Sequence, residues 1–488
     1  MSAKAIMLQG TGSDVGKSLL AAGLCRAFVK RGLTVRPFKS QNMSNNAAVT
    51  PDGGEIGRAQ ALQARACGVA PSVHMNPVLL KPQSEVGAQL VVHGKVRGNY
   101  NARAFQPVKK DLMADVLASF EIMKADADIV VVEGAGSAAE VNLRENDIAN
   151  MGFAIAAQVP VILVADIDRG GVIASLVGTY ALLPDNERAL LKGYIINKFR
   201  GDVSLFDDGL TAITDKTGLA SFGILPHLAA AARLPQEDAM SLENRERLAG
   251  DGPTKIAVPR LAHIANFDDF DPLIAEADVA LDIIPPGEAL PGDADLVILP
   301  GSKTTIADLE EFRRQGWDID LAAHIRRGGT VLGICAGYQM LGKTISDPDG
   351  VEGSAGEIKG LGHLSHDTML VGDKTLTEVS GEACDGLGPV QGYEMHIGKS
   401  SSATEAPFLR LGGVPHGALS PDGRIMGCYV HGLFSSDAFR HNFLNRLKTR
   451  AASGVAYEAQ VETALDELAD AIEEHLAVEG MLGVSSLF

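Results

Sequence analysis

Short apolar runs alternate with helix-length segments along almost the whole chain. In the first half the runs read AIMLQ, TVRPF, IVVVEG, PVILVAD, GYIINKF and FGILP, and in the second half KIAVPRL, ALDIIP, LVILPGS, TVLGICA and IMGCYVHG. Runs of Val, Ile and Leu bounded by segments of helical length are typical of parallel strands that are buried on both faces. The pattern therefore predicts an α/β protein with two doubly wound domains.

One polar stretch interrupts this alternation near the middle of the chain. It reads RLPQEDAMSLENRERLAGDGPTK, contains few β-branched residues and closes on the turn cluster GDGPT. We therefore expect a first domain over residues 1–235, a linker over 236–254 and a second domain over 255–488.

The chain ends in a segment with a different period. Its sequence, VETALDELADAIEEHLAVEGML, places apolar residues three or four positions apart, at Val461, Leu465, Leu468, Ile472 and Leu476. This spacing predicts an amphipathic helix. We expect that helix to pack on its own domain, the second one.

Composition excludes several classes of protein. The 488 residues are 46% hydrophobic and 21% charged, which is an ordinary globular composition. No apolar run reaches the length of about 18 residues that a membrane span needs, and the start, MSAKAIMLQGTG, lacks the features of a signal peptide. The formal net charge of −18 opposes binding to nucleic acid or to an anionic membrane. Five cysteines without CxxC spacing fit a reducing compartment, so we expect a cytoplasmic protein.

The first apolar run leads into a glycine loop and a helix, IMLQGTGSDVGKSLLAAGLCRAF. In this context successive backbone N–H groups and a helix N-terminus bind phosphate oxygens. Gly12 and Gly16 shape the loop, Lys17 would reach the terminal phosphates, and Ser18 would ligate Mg²⁺. The loop is one residue longer than the usual GxxxxGK[ST] pattern. We still predict an ATP site here, because the strand before the loop and the helix after it are both present.

Further oxygen and amide ligands for ATP·Mg²⁺ should lie at the carboxyl ends of neighbouring strands. Glu133 ends the run DIVVVEG and is the first candidate for Mg²⁺. Asp52 and Glu55, in TPDGGEIG, are either further ligands or a solvated acidic loop. Asn197, in INKFRGD, either reads the adenine edge or belongs to a strand-end turn.

A cysteine stands between the run TVLGI and the predicted helix AGYQMLG. A strand, a sharp turn and a helix present a nucleophile in many hydrolases, and Cys335 occupies that position. A base is needed to activate the thiol, and His431 ends the apolar run in GRIMGCYVHGLF. Two backbone donors would stabilise an oxyanion. We predict them at the glycine turn Gly301–Ser302 and at Ala336.

Several motifs in the chain resemble known families. Three segments resemble the triad-type glutamine amidotransferase family, namely LPGSKTT, GICAGYQMLG and GCYVHGLF. The glycine loop, GTGSDVGKS, resembles the loop of dethiobiotin synthetase-like ATPases. The resemblance implies a P-loop NTPase-like first domain and a flavodoxin-like second domain. It also implies that Cys335 attacks the amide of glutamine, forms a glutamyl thioester and releases ammonia, with His431 as the base.

The third member of the expected triad is missing from its usual place. The family has a Glu two residues after the His, and this chain has Leu433 there. The site is therefore expected to work as a dyad. The same departure is a feature of the branch that amidates corrinoids, which joins the same two domains in the same order.

The stretch after the second apolar run, together with three later segments, indicates which family of that branch the chain resembles. Four segments are similar to the cobyric acid synthase family: RPFKSQNMSNNAAVTPDGGEIGRAQALQARA, HMNPVLLKPQ, IANFDDFDPL and VQGYEMHIG. That family amidates the b, d, e and g carboxylates of cobyrinic acid a,c-diamide in cobalamin biosynthesis. The polar segment would bind the corrin through its amide, hydroxyl and ammonium groups, at Lys39, Ser40, Gln41, Asn42 and Asn45. His74, Asn76 and Lys81 either line the same cleft or have structural roles.

The resemblance implies an ATP-dependent ligase that uses glutamine as its nitrogen donor. It would require ATP and Mg²⁺, act on a corrinoid through acyl phosphate intermediates, and hold no transition metal of its own. Cys428 is expected to be a core residue, and a homo-oligomer is left open. One alternative is a cobyrinic acid a,c-diamide synthase, which would carry a different motif after the second strand. The other is a P-loop ATPase with an inactive amidotransferase-like domain, which would lack Cys335 or His431.

Overall fold

The structure is a computed structural model that describes residues 3–84, 87–235, 252–353, 355–372, 374–401, 404–451 and 453–485. Most of the predicted linker, 236–254, lies outside these ranges. Within them, no helix is both long enough and apolar enough to cross a membrane.

The strands are numbered in chain order. They are β1 (Lys4–Gly10), β2 (Val35–Phe38), β3 (Gln41–Met43), β4 (Ala47–Val49), β5 (Glu55–Gly57), β6 (Val78–Ser84), β7 (Gly87–Val92), β8 (Lys95–Asn101), β9 (Ile129–Ser137), β10 (Val161–Asp166), β11 (Leu191–Phe199), β12 (Ala220–Pro226), β13 (Thr254–Pro259), β14 (Ile264–Ala265), β15 (Val279–Ile284), β16 (Leu296–Leu299), β17 (Gly301–Ser302), β18 (Thr330–Ile334), β19 (Thr344–Asp347), β20 (Gly356–Lys359), β21 (Asp367–Met369), β22 (Thr375–Ala383), β23 (Gly388–His396), β24 (Lys399–Ser400), β25 (Leu409–Leu411), β26 (Val414–His416), β27 (Ala418–Leu419), β28 (Ile425–Cys428) and β29 (Val430–His431).

The α-helices are numbered in the same way. They are α1 (Lys17–Lys30), α2 (Arg58–Ala66), α3 (Ala102–Ala125), α4 (Met151–Ala157), α5 (Val172–Leu182), α6 (Asp185–Arg188), α7 (Asp207–Thr217), α8 (Asp271–Ile274), α9 (Thr305–Arg314), α10 (Trp317–Arg326), α11 (Ala336–Leu341), α12 (Asp437–Leu447), α13 (Tyr457–His475) and α14 (Val478–Val484). A 3₁₀ turn at Phe267–Phe270 precedes α8 and is important for the second site.

The chain forms two compact units. Among the described residues, the first unit comprises residues 3–44, 54–235 and 460–485, and the second comprises 45–53 and 252–459. These units differ from the predicted domains in two places. A short segment after β3 is grouped with the second unit, and the C-terminal segment is grouped with the first.

The first unit is built on a six-stranded sheet in the order β12-β11-β10-β1-β9-β2, in which all neighbours are parallel. The central strands are apolar on both faces because helices cover each side, which confirms the predicted α/β class. Phe38, Phe120 and Phe153 pack together with ring centroids 5.2–5.5 Å apart. A smaller sheet in the order β3-β6-β7-β8 carries the polar stretch that follows β2.

The second unit has a six-stranded sheet in the order β15-β13-β16-β18-β28-β27, parallel except for the β27–β28 pair. A five-stranded antiparallel sheet, in the order β26-β25-β22-β23-β29, lies in the same unit. Strand β29 follows β28 after a single residue and pairs with β23. The end of the parallel sheet therefore continues into the antiparallel one at His431.

The tail helix α13 belongs to the first unit, and not to the second as its position in the chain suggested. Its buried residues include Leu468 and Ile472. They lie against Gly23 of α1, where a Cβ atom would come within 2.7 Å of both side chains. Ion pairs add to this packing, with Lys30 bonded to Asp470 at 2.5 Å. A glycine on α1 and an apolar face on α13 thus determine where the tail lies.

The substitution Leu468→Ala tests this placement. Loss of the buried side chain is expected to destabilise the α1–α13 contact by about 2–5 kcal/mol. In hydrogen–deuterium exchange read by mass spectrometry, peptides from α1 should lose protection, whereas peptides from α10 in the second unit should not. Leu205→Ala, at a position that is 83% exposed, is the matched control and should change neither. Loss of protection in α10 alone would contradict the assignment.

Candidate active sites

The loop after β1 has the geometry of a phosphate-binding loop. Gly16 precedes α1 with a φ of 92°, a left-handed conformation that favours glycine. Lys17 is buried, and its Nζ donates to the carbonyl oxygens of Gly12 and Gly136 at 3.0 and 2.9 Å. The ammonium group is therefore held over the loop, where phosphate oxygens would be bound.

Glu133 is the centre of a buried hydrogen-bond network beside this loop. Its Oε1 accepts from Ser18 Oγ at 2.7 Å and from Lys39 Nζ at 2.8 Å. Its Oε2 accepts from Gln63 Nε2 at 2.6 Å and from Gln60 Nε2 at 3.3 Å. The two glutamines lie one turn apart on α2, so both reach the same oxygen. All four neighbours donate, and the carboxylate is the common acceptor.

The network keeps Glu133 ionised. Burial alone would raise its pKa, but the ammonium group of Lys39 and the hydrogen bonds from Lys39, Ser18 and Gln63 lower the pKa below its ordinary value. An ionised carboxylate next to a serine hydroxyl is a donor set that Mg²⁺ prefers. No group of three His, Cys, Asp or Glu converges as a metal site in the described ranges. Mg²⁺ in nucleotide sites uses one or two carboxylates together with phosphates and water, so the residues present fit it.

The other two predicted Mg²⁺ ligands have different surroundings. Glu55 is fully buried and forms an ion pair with Lys81, in which Oε2 and Nζ are 2.8 Å apart. Asp52 is exposed and lies in the segment that is grouped with the second unit. Ser18 and Glu133 are thus the predicted ligands that the structure brings together.

Asn197 contacts the phosphate loop through its side-chain amide. Its Nδ2 donates to the carbonyl oxygen of Val15 at 2.8 Å, and its Oδ1 accepts from the amide of Lys198 at 2.9 Å. A Cβ atom on Gly16 would lie 2.3 Å from the same Nδ2. The amide of Asn197 therefore braces the underside of the phosphate loop.

The polar stretch predicted to bind substrate is mostly buried. Lys39 is bonded to Glu133, and Asn42 Nδ2 donates to Gln60 at 2.9 Å, so the stretch is connected to the network around Glu133. Three other polar atoms are buried and have no hydrogen-bond partner in the described part of the chain. They are Ser40 Oγ, Gln41 Oε1 and Asn45 Oδ1. Buried polar atoms are rarely left unsatisfied, so these are sites where a polar ligand would be stabilised.

The three neighbouring candidates have mainly structural contacts. Asn76 donates to the backbone oxygens of Lys39 and Val78 at 3.0 Å each, so it holds the base of the polar stretch. His74 Nδ1 lies 3.0 Å from Ser119 Oγ. Lys81 forms the ion pair with Glu55 described above.

In the second unit, Cys335 lies at a sharp turn between β18 and α11. Its φ and ψ are 54° and −109°, which is strained for a residue with a side chain. Gly337 makes the turn feasible, because a Cβ there would lie 2.0 Å from the carbonyl oxygen of Leu299. Such a strained strand–turn–helix connection is typical of a nucleophile elbow.

His431 contacts Cys335 and is oriented by an acidic residue that the sequence analysis did not single out. Its Nδ1 lies 2.8 Å from Asp269 Oδ2, and Asp269 Oδ1 accepts from the amide of Gly432 at 2.6 Å. The ring of Tyr393 stacks on His431 at a centroid distance of 5.3 Å. The site is therefore not a dyad. Asp269 of the 3₁₀ turn takes the orienting place that the family pattern gives to a glutamate.

The charge environment favours a protonated His431. Burial alone would lower its pKa, but the carboxylate of Asp269 and the adjacent Cys335 raise it to about 10. A cationic imidazole is a neighbour that cysteine nucleophiles commonly have. The buried pair Asp269–His431 thus places a positive charge beside the sulfur of Cys335.

The predicted oxyanion donors lie around this pair. Gly301 is close to His431, since a Cβ there would be 2.9 Å from its Cε1. Ala336 is the first residue of α11, where N–H groups have no intrahelical partner. The hydroxyl of Ser302 instead donates to Asp308 at 2.6 Å. The geometry therefore places the backbone of Gly301 beside His431 and that of Ala336 directly after Cys335, and the Ser302 side chain is bonded to Asp308.

The sequence analysis also missed other residues of these sites. Gln60 and Gln63 are buried on α2 among mostly apolar neighbours, and their spacing of three, which places both on one side of a helix, was the available signal. Asp269 lies in the acidic motif NFDDFD, but periodicity does not distinguish it from its acidic neighbours. It could be recognised only when the fold brought it to His431.

The fold and the two sites define a P-loop ATPase unit and a cysteine-dependent glutamine amidotransferase unit in one chain. Comparison with known families agrees. A profile described as CobQ/CobB/MinD/ParA nucleotide binding domain matches residues 6–242, and one described as CobB/CobQ-like glutamine amidotransferase domain matches residues 255–439.

Curated relatives extend this match to the full length. A cobyric acid synthase of Brucella suis is 58% identical over 485 residues, which cover 99% of this chain and 100% of the relative. A cobyric acid synthase of Methylobacterium nodulans is 58% identical over 489 residues, with 100% of both chains covered. The chain belongs to the cobyric acid synthase family.

The role of Asp269 can be tested with Asp269→Asn. The amide no longer favours an imidazolium, so kcat for glutamine hydrolysis should fall by at least about 10²-fold, a typical contribution of acid–base catalysis. Alkylation of Cys335 by iodoacetamide at pH 7, followed by peptide mass spectrometry, should also slow. Asp282→Asn, on strand β15, is the control and should leave both rates unchanged.

The same variant has a pH signature. The folded-state pKa of His431, about 10, is raised above its unfolded value of about 6.5. The Asp269–His431 pair therefore stabilises the folded state fully below about pH 6.5, and this stabilisation is lost as the pH rises towards about 10. The deficit in unfolding free energy of Asp269→Asn should therefore be largest at low pH and vanish in alkali. A deficit that grows with pH would contradict this assignment.

Proposed function

We propose that this protein is a glutamine-hydrolysing, ATP-dependent amidoligase that amidates the b, d, e and g carboxylates of cobyrinic acid a,c-diamide. The observation that carries the proposal is the buried Cys335–His431–Asp269 constellation, in a chain whose other unit holds Lys17, Ser18 and Glu133 at a phosphate loop. The curated relatives named cobyric acid synthase, similar over their full length, support the choice of substrate.

The first unit would activate the carboxylate. A carboxylate is a poor electrophile, so the γ-phosphoryl group of ATP is transferred to it and gives an acyl phosphate and ADP. Lys17 and the loop amides would hold the phosphates, and Ser18 and Glu133 would hold Mg²⁺, which supplies positive charge to the phosphoryl oxygens. Lys39, which is bonded to Glu133, would neutralise the carboxylate of the corrin. Attack by ammonia then forms the amide and expels phosphate.

The second unit would supply that ammonia. The thiolate of Cys335 attacks the side-chain carbonyl of glutamine, and the amides of Gly301 and Ala336 stabilise the oxyanion. His431 gives its proton to the departing ammonia and leaves a glutamyl thioester. The neutral His431 then takes a proton from water, and the resulting hydroxide hydrolyses the thioester to glutamate and the Cys335 thiolate. Asp269 holds the ring in place throughout.

The substitution Cys335→Ser separates the two halves. It should abolish amide formation from glutamine, because the hydroxyl is not activated as a thiolate, but leave amide formation from ammonium salts close to wild type. The assay feeds ATP, Mg²⁺ and the a,c-diamide with either nitrogen source and reads corrinoid products by mass, which also counts the amidations.

Cys384→Ser, at a half-buried cysteine of the same unit, is the matched control and should use both nitrogen sources normally. If Cys335→Ser still uses glutamine, the thiol is structural and the proposed glutaminase site is wrong. If the wild type amidates the a,c-diamide from neither source, the corrinoid assignment is wrong.

The ligase half is tested by Glu133→Gln. Loss of the charge should reduce amidation from both nitrogen sources by at least about 10²-fold and raise the Mg²⁺ concentration needed for half-maximal rate. Basal glutamine hydrolysis, without acceptor, should persist. Glu140→Gln, at an exposed position just after β9, serves as the control. Normal Mg²⁺ dependence in Glu133→Gln would exclude this residue as a ligand.

A further inference from the structure

The carboxylate of Glu133 is saturated with hydrogen-bond donors. An ionised carboxylate offers about four lone-pair positions on its two oxygens. Ser18 and Lys39 donate to Oε1. Gln63 and Gln60 donate to Oε2. The side chain is 1% exposed, so almost none of it faces solvent. A cation that Glu133 coordinates directly must therefore replace one of these four donors.

Lys39 is the donor that a metal ion would replace. The hydroxyl of Ser18 can turn its hydrogen away and present its oxygen as a ligand, so it is compatible with Mg²⁺. The two glutamine amides are neutral. The ammonium group of Lys39 is a full positive charge at 2.8 Å from Oε1. In a buried site this charge and a dication at the same oxygen repel each other strongly, because the effective dielectric constant is low. Lys39 and Mg²⁺ are therefore alternative partners of Glu133.

The backbone of Lys39 is anchored, so the replacement requires movement of its side chain alone. Its amide donates to the carbonyl oxygen of Met75 at 2.8 Å, and its carbonyl oxygen accepts from Asn76 Nδ2 at 3.0 Å. A lysine carries its charge at the end of a flexible four-carbon stem. Rotation about the bonds of that stem moves the ammonium group away from Glu133, while strand β2, which ends one residue earlier, stays in place.

A displaced ammonium group needs a new anionic partner. The side chain of Lys39 is 7% exposed, and an unpaired charge at such a buried position is costly. The next residue, Ser40, is fully buried, and its hydroxyl oxygen has no hydrogen-bond partner in the described ranges. Both side chains are hydrogen-bond donors that suit a carboxylate. Under the proposed function, the anion that reaches this stretch is an acid group of the acceptor.

We propose that Lys39 and Mg²⁺ compete for Glu133, so that binding of Mg²⁺ with the nucleotide releases Lys39 to bind the acceptor carboxylate. The inference rests on the proposed function, because it requires a nucleotide at the phosphate loop and a corrinoid at the polar stretch after β2. Lys39 has two successive partners, first Glu133 and then the carboxylate that is phosphorylated. The exchange sets an order in which the nucleotide binds before the acceptor, so the acid group meets Lys39 only when a γ-phosphate is already in place.

The first measurement uses Mn²⁺, which takes the same oxygen ligands as Mg²⁺ and is followed by the electron paramagnetic resonance signal of the free ion. Mn²⁺ is titrated into the full-length protein with saturating ADP and without corrinoid. Lys39→Gln keeps a hydrogen-bond donor but removes the charge. It should lower the dissociation constant of Mn²⁺ at least about fivefold, the lower end of usual coupling between two sites. A purely structural role for Lys39 predicts the opposite, weaker binding.

Lys95→Gln, at an exposed position on β8, is the matched control and should bind Mn²⁺ as the wild type does.

The second measurement is equilibrium dialysis of cobyrinic acid a,c-diamide. In the wild type, Mg²⁺ with the non-hydrolysable analogue β,γ-methylene-ATP should tighten acceptor binding at least about fivefold, whereas in Lys39→Gln the increase should stay below about twofold. If Lys39→Gln does not fold, the wild type alone provides the test, because coupling between two ligands is reciprocal. Saturating a,c-diamide should then tighten the binding of Mn²⁺ in the presence of ADP.

Unchanged or weaker Mn²⁺ binding in a folded Lys39→Gln protein overturns the competition. A wild type whose acceptor binding does not respond to the nucleotide overturns the release of Lys39. Failure of the proposed function gives a different result. In that case the wild type forms no amide from either nitrogen source, whereas the Mn²⁺ titration, which contains no corrinoid, still responds to Lys39→Gln.

Discussion

The carboxylate of Asp269 lies where water is almost excluded, and it is bonded to Nδ1 of His431 and to the amide of Gly432. A buried carboxylate without such donors would destabilise the fold. Its requirement for donors fixes the 3₁₀ turn relative to β29 and sets the ring of His431 next to Cys335. The contact thereby holds the imidazole of His431 beside the elbow at Cys335.

The same physics organises the first unit. Glu133 is 1% exposed and is matched by donors from the phosphate-loop helix, from α2 and from the polar stretch after β2. Three segments that are distant in sequence therefore converge on a single acceptor. Under the proposed function, this compensated charge would assemble the site before Mg²⁺ and phosphate bind, which would limit the reorganisation that binding requires.

Chain order and spatial grouping differ in this protein at two places. The tail helix α13 follows the second unit in sequence, yet its apolar face packs on Gly23 of the first. The segment 45–53 lies within the first half of the sequence, yet its Asn46 accepts a hydrogen bond from the amide of Asn266 in the second unit. Each unit thus contains a piece that the opposite half of the chain supplies, and each piece contacts an element next to a catalytic residue or the phosphate loop.

The sequence by itself determined the α/β class, the phosphate loop with Lys17 and Ser18, and the elbow at Cys335. These features depend on local order: the period of apolar residues, and glycines at fixed offsets from a strand end. Tertiary structure alone decided that Asp269 orients His431 and that Glu55 pairs with Lys81. It also decided that Asn197 braces a loop and that the tail helix leaves its own half. Those outcomes depend on which distant segments meet across sheets and helices, and hydrophobic periodicity carries no information about such partners.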